Sequence, residues 1–301
     1  MKYRTLGRTG LKVSVIGVGT WQLGGEWGKT FGQSEVDAIL DRAAEAGINL
    51  VDTAECYGDH LAERLIGDYL SRHERDRWII ATKFGHGFNG FMDRTDRFGA
   101  EDVKAQLVAS LRALRTDRID IYQFHSGTDE AFLDDGLRAV LEEARRSGMA
   151  RHLGVSIRGA GSELQAREAF GRGFGVLQVV YNRIDLRAES EVFPYARRYG
   201  LGVLARVPLA SGLLTGKYGY GDRFGPDDYR STLGTEEIAR RVREAEKLAD
   251  EELPLGVSRV RWALAWCLRD PVVAAVIPGA KSPEQVAENA SAADLLSGKM
   301  P

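Results

Sequence analysis

The chain has 301 residues, 44% of them hydrophobic and 28% charged, with a formal net charge of -2 at pH 7. That length admits one large barrel or two ordinary domains with a sizeable core, and the near-balance of interspersed charges gives no reason to expect nucleic acid or an anionic membrane as partner. Two cysteines, Cys56 and Cys267, make no disulfide framework and point to a reducing compartment, and no apolar run approaches the roughly 18 residues needed to span a bilayer.

The first residues, Met1 to Gly7, lack the apolar core of a secretory signal, so a cytoplasmic protein is expected. Residues 3–13 hold two strand-like pieces around Gly7-Arg8-Thr9-Gly10, a predicted hairpin that would cap the N-terminal end of a barrel. Strand and helix patterns then alternate. A strand over 14–18 precedes a helix over 34–46 with Ser34 as its N-cap. A strand closing at Asp52 precedes a helix over 60–70, a strand into Lys83 precedes a helix over 101–114, and a strand ending at His125 precedes a helix over 132–146. Next come a strand ending at Ser156, a helix over 162–170, a strand over 176–178 ending at Gln178, a helix over 189–199 and a strand over 202–206. A Gly- and Tyr-rich loop, 216–225, leads to consecutive helices over 235–252 and 258–268, a last strand over 272–277 and a last helix from Pro283. Eight strand and helix pairs predict an α/β fold, a (β/α)8 TIM barrel with the hairpin across its bottom and extra helices near the C-terminus. An open doubly wound sheet is the alternative. With no linker, repeat or low-complexity tract, one domain over 1–301 is expected, and nothing in the sequence demands more than a monomer or a weak homo-oligomer.

Short apolar runs bounded by turn residues read as buried parallel strands, and a barrel gathers all their C-terminal ends at one mouth. Asp52, Lys83 and His125 would therefore meet there, with Tyr57 in the loop just after Asp52. A tyrosine with an ordinary pKa near 10 is a poor proton relay at neutral pH, and a lysine within hydrogen-bonding distance would lower that value. Lys83 is placed to do so, Asp52 to keep it charged, and His125 to donate a hydrogen bond to an oxygen in the same space.

Taken with Gly19-Thr20-Trp21, Asp52-Thr53-Ala54-Glu55-Cys56-Tyr57-Gly58, Thr82-Lys83, Tyr122-Gln123-Phe124-His125, Gly154-Val155-Ser156, Pro208 to Lys217 and Ile277-Pro278-Gly279-Ala280-Lys281, the chain resembles the aldo-keto reductases over nearly its whole length. The resemblance implies a catalytic tetrad of Asp52, Tyr57, Lys83 and His125, with Tyr57 as general acid in carbonyl reduction. It implies a nicotinamide cofactor held by Gly19, Thr20, Trp21, Asp52, Ser156, Gln178 and Asn182, with Tyr181 flanking the ring. Backbone N–H groups of the stretch Pro208 to Leu214, with Pro208, Leu209, Ala210, Ser211, Gly212 and Leu214, would approach the pyrophosphate, and Lys217 would also contact the cofactor. Pro278, Gly279 and Ala280 would also contact the cofactor, Lys281 with Ser282 and Gln285 would meet the adenosine 2′-phosphate, and Glu288 and Asn289 the adenine. The cofactor implied is NADPH; Gln285 stands where many members carry a cation, which leaves NADH possible. The substrate implied is a small aldehyde or ketone.

Each of these residues has a plainer reading. Asp52 alone is more often a turn or cap residue, Lys83 a surface lysine, His125 a core histidine and Tyr57 a packing residue; their shared barrel edge is what lifts them. Gly85-His86-Gly87-Phe88-Asn89-Gly90 matches a dinucleotide fingerprint but opens no helix, and 85–98 reads as a mobile substrate-side loop. Trp21, Trp27, Phe88 and Phe91 are candidates for an apolar substrate wall. His60, His73, His86 and His152 show no metal-ligand spacing, so no metal is expected. A cofactor-holding regulatory subunit and a Schiff-base lyase using Lys83 stand as rival functions.

Overall fold

The structure is a computed structural model and describes residues 1–159 and 162–297; residues 160–161 and 298–301 of the expected domain lie outside the described residues. The chain opens with an antiparallel pair, β1 (Tyr3–Thr5) and β2 (Lys12–Ser14), joined by a 3-10 turn at Gly7–Thr9. This predicted hairpin plugs the barrel that follows. Its Leu6 and Val13 pack with Leu50, Ala81, Ile121, Val176 and Leu204 from different barrel strands, and the Arg4 guanidinium donates to the carbonyls of Leu268 and Val273 at 2.8 and 2.6 Å.

Next come β3 (Val18–Gly19), β4 (Leu50–Asp52), β5 (Ile79–Phe84), an antiparallel ribbon of β6 (His86–Gly90) and β7 (Asp93–Asp96), then β8 (Ile119–His125), β9 (Ala150–Ser156), β10 (Val176–Val180), β11 (Gly202–Arg206) and β12 (Val273–Val276). Apart from hairpin and ribbon they form one eight-stranded sheet in the order β3-β4-β5-β8-β9-β10-β11-β12, paired in parallel. Its two edges meet through parallel bridges at Ile16–Val276 and Gly19–Gly279, with Gly17 N donating to Val276 O at 2.8 Å. A Cβ on Gly19 would lie 2.6 Å from Ile277 O, so only glycine permits this closure at the mouth. The result is the expected (β/α)8 barrel. Strands buried on both faces explain the unbroken apolar runs.

Around the sheet lie α1 (Gln33–Glu45), α2 (Leu61–Leu70), α3 (Ala100–Ala113), α4 (Asp129–Leu133), α5 (Asp135–Arg146), α6 (Glu163–Glu168), α7 (Arg187–Glu191), α8 (Phe193–Tyr199), α9 (Thr235–Glu252), α10 (Arg259–Cys267) and α11 (Pro283–Ser291). Several boundaries differ from expectation for local reasons. Ser34 is not the cap of α1; the carboxylate of Glu35 accepts from Gly32 N at 3.0 Å and starts the helix earlier. The helix expected over 132–146 breaks at Asp134, whose extended backbone and carboxylate, accepting from Leu137 N at 2.6 Å, start α5 afresh. That over 189–199 divides at Val192, beside Pro194 in the first turn of α8. The segment 85–98, expected as a loop, contains the β6–β7 ribbon, which lies over the mouth. Among the described residues no helix is long and apolar enough to cross a membrane.

Candidate active site

At the C-terminal ends of the strands a cavity of about 610 Å³ opens, lined by Asp52, Tyr57, His125, Gln178 and Arg206 among others. Lys83 lies behind its wall, fully buried. The ammonium has three N–H groups to place, and it donates to Asp52 Oδ2 at 2.8 Å, Thr53 O at 2.6 Å and Tyr57 Oη at 3.1 Å. Burial pushes Lys83 down, but Asp52 and Tyr57 more than reverse this, and its pKa ends above the ordinary lysine value. A charged amine with its donors engaged has no lone pair for a carbonyl, so the geometry gives a Schiff-base role no support. Asp52 is fixed from its other side: Oδ1 accepts from Gln178 Nε2 at 2.6 Å and Gln123 Nε2 at 3.2 Å. Gln123 escaped the sequence reading, although an amide between Tyr122 and Phe124, two residues before His125, was the available clue.

Tyr57 departs from expectation. Burial is the larger influence and Lys83 opposes it only in part, so the phenol is pushed up to about 12 rather than down. Charging a phenol so largely enclosed by protein costs more than one ammonium already shared with Asp52 returns. Tyr57 therefore holds its proton throughout the neutral range, as a proton donor must. His125 goes the other way: burial, then the nearby charge of Lys83, drives it well below its ordinary value, so the imidazole is neutral. The Cys56 thiol, pushed up by burial, lies 3.7 Å from His125 Nδ1. A protonated thiol can donate there in the tautomer that carries the ring N–H on Nε2.

The ligand atoms of Glu55, Cys56 and His125 all lie within 4.8 Å of one another, a convergence of the loop after β4 with the end of β8 that no spacing rule reveals. Burial raises the Glu55 carboxyl to about 8, and Lys83 and Arg94 stand close by. A protonated acid and thiol beside two cations form a poor set for a divalent ion. The raised Glu55 has a consequence for stability. The folded state keeps a proton that the unfolded chain releases near its ordinary value of 4.5, so stability present below that pH is lost as pH rises towards 8. Thermal denaturation from pH 5 to 8 should show Glu55→Gln flattening the wild-type decline; parallel curves would remove Glu55 as its source.

Residues assigned to the cofactor by resemblance fall in two groups. Gly19, Thr20 and Trp21, with Asp52 and Gln178, line the cavity, as do Pro208, Leu209, Ser211, Gly212 and Lys217 and, from the last strand and helix, Pro278, Gly279, Lys281, Gln285, Glu288 and Asn289. The others stand behind this lining. Ser156 Oγ donates to Gln178 Oε1 at 3.2 Å, and Asn182 Nδ2 to Val207 O at 3.1 Å. Ala210 and Leu214 pack on Trp262, Ala280 lies in the core around the barrel, and Ser282 caps α11. Tyr181 is buried outside the cavity lining, its ring 4.9 Å from Phe193 and 5.3 Å from Trp266, with its hydroxyl donating to Glu189 at 2.7 Å. Of the expected apolar wall, Trp21 and Trp27 line the cavity, Phe88 lies under Arg94, and Phe91 is exposed at the ribbon tip.

Sequence reasoning also missed cations. Lys281, alone in its own stretch, donates to Trp27 O at 2.5 Å and shares the cavity with Lys217, Arg230 and Arg259, while Arg206 ends β11. Arg206 carried the same strand-end signature as Asp52 and His125; Arg230 and Arg259 are brought in only by the tertiary fold.

The family model described as "Aldo/keto reductase family" matches residues 15–298. The chain belongs to the aldo/keto reductase family. That membership supports an oxidoreductase activity. The chain is 33% identical, over 98% of itself and 92% of its relative, to "Uncharacterized oxidoreductase YqkF" of Bacillus subtilis (strain 168). It is 31% identical, with the same coverage, to "Probable voltage-gated potassium channel subunit beta" of Oryza sativa subsp. japonica. Among solved structures it is similar to the holo form of aldo-keto reductase AKR11C1 from Bacillus halodurans, with a TM-score of 0.81, 32% identity and coverage of 98% of this chain and 91% of that one.

Proposed function

We propose that this chain is a cytoplasmic, single-domain reductase that converts an aldehyde or ketone to the alcohol, with NADPH as reductant. The observation that supports it most is the buried Lys83 ammonium, which donates at once to Asp52 and to the Tyr57 hydroxyl in the cavity wall. Tyr57 delivers its proton to the oxygen of the reduced carbonyl, and Lys83 stabilises the phenolate left behind. Asp52 holds Lys83 charged and in place. His125, neutral with one N–H, polarises the carbonyl by hydrogen bonding without competing as an acid. The residues fit the cofactor chemically: Lys217, Arg230, Arg259 and Lys281 suit a phosphate-bearing ligand in the same cavity that the proton-donor cluster lines. NADPH, when bound, supplies the hydride.

A panel of aldehydes and ketones with each cofactor, followed at the nicotinamide absorbance, tests the reading; no turnover with any pair would overturn it. The rice relative favours one second reading, a cofactor-binding regulatory subunit, and tight NADPH binding without turnover would select that reading. Lys281→Ala should weaken NADPH by about tenfold and NADH by less than about twofold. Lys217 and Arg259 would keep the loss from being larger. Equal losses in fluorescence titrations would place the 2′-phosphate elsewhere.

A further inference from the structure

We infer that Glu26 sets the substrate class of this site, by occupying Arg94 so that the mouth takes neutral, apolar carbonyl compounds in preference to carboxylate-bearing ones; this rests on the reductase reading. Arg94, on β7 of the ribbon, lines the cavity beside Trp21, Tyr57 and Met92. A guanidinium in such a place would ordinarily recruit an anion. Here it is already filled. Its NH2 donates to both Glu26 oxygens at 2.7 and 2.6 Å, and its NH1 to Gly90 O at 2.9 Å and Asp93 O at 2.8 Å.

Glu26 is only 2% exposed, and the same carboxylate accepts from Trp21 Nε1 at 2.8 Å and Met92 N at 2.9 Å. One buried anion thus ties the loop after β3 to the ribbon and neutralises the cation between them. What remains for the substrate on this wall is aromatic: Trp21 lies 4.7 Å from Tyr229 and 5.2 Å from Trp27, and runs nearly parallel to Tyr57 at 6.1 Å. A substrate carboxylate entering here would have to displace Glu26 or lie unpaired against these rings, which carries the cost of a desolvated charge. Arg206, which lines the same cavity and donates to Ile157 O, can also attract an anion; it is unchanged in the variants below and cancels only when a variant's ratio is divided by that of wild type.

The test compares kcat/KM for 4-nitrobenzaldehyde and 4-carboxybenzaldehyde. Glu26→Gln should shrink the wild-type ratio of neutral to anionic aldehyde by about tenfold, and adding Arg94→Gln should restore it. An unchanged ratio in folded Glu26→Gln overturns the inference. If Glu26→Gln does not fold, the double variant Glu26→Gln/Arg94→Gln, which strands no charge, decides: a ratio like that of wild type supports the inference, and selective loss of the anionic aldehyde overturns it. If wild type reduces neither aldehyde, the reductase reading fails separately. Benzoate binding followed by tryptophan fluorescence still decides between tighter binding to Glu26→Gln, as inferred, and equal binding, which overturns it.

Discussion

Tyr57→Phe is expected to lower kcat for carbonyl reduction by about 10²- to 10⁴-fold, with the NADPH dissociation constant changed by less than about twofold. The ring stays, so its near-parallel packing on Trp21 at 6.1 Å and its edge contact with His125 at 6.2 Å survive. Only Oη is lost. Lys83 keeps Asp52 and Thr53 as acceptors, and the vacated position opens on the cavity, where water can take the third N–H. The fold is therefore spared and the proton donor is not. No neighbour can substitute: neutral His125 is too weak an acid, and the Cys56 thiol is held protonated by burial. Steady-state rates with a reactive aldehyde, paired with cofactor titration, check both halves. Turnover within tenfold of wild type would remove Tyr57 from the proton-donor role.

The barrel was legible because its strands are buried on both faces and its helices on one, so apolar runs and helical stripes alternate cleanly from β3 to α8. The cluster of Asp52, Tyr57, Lys83 and His125 was legible for the same reason: topology alone brings strand ends together. What the pattern could not carry was balance between opposing terms. Lys83 acts on Tyr57 as its position suggested, yet burial, which depends on every residue around the loop, decides the net direction. Nor could it carry the ribbon over 86–96, whose pairing needs two short polar strands with little apolar alternation, or the meeting of Glu26 with Arg94 across 68 residues. Tyr181 illustrates a different limit. It follows β10 directly, but its side chain is taken up by Phe193, Trp266 and Glu189 in the outer layer, contacts set by α7, α8 and α10 rather than by its own strand.

Lys83→Met should cost both stability and rate, and a second substitution separates the two. Removing the ammonium leaves Asp52, 3% exposed, as a buried carboxylate with only the Gln178 and Gln123 amides as donors. Breaking a buried pair from one side costs about 3–5 kcal/mol, which urea denaturation should register as a lower midpoint. Asp52→Asn in the same chain removes the stranded charge at nearly constant shape, so most of that loss should return. Activity should not. Without Lys83 the phenol moves still further above its ordinary value, since the largest influence lowering it is gone, and the phenolate left after proton donation loses its hydrogen-bonded counter-charge, with Arg206 remaining as a cation that does not bond it. The double variant should therefore match Lys83→Met in kcat/KM, at least about 10²-fold below wild type, while approaching wild type in unfolding free energy. If rate recovers together with stability, Lys83 matters only as a structural counter-ion to Asp52, and the proton-donor assembly built on it is wrong.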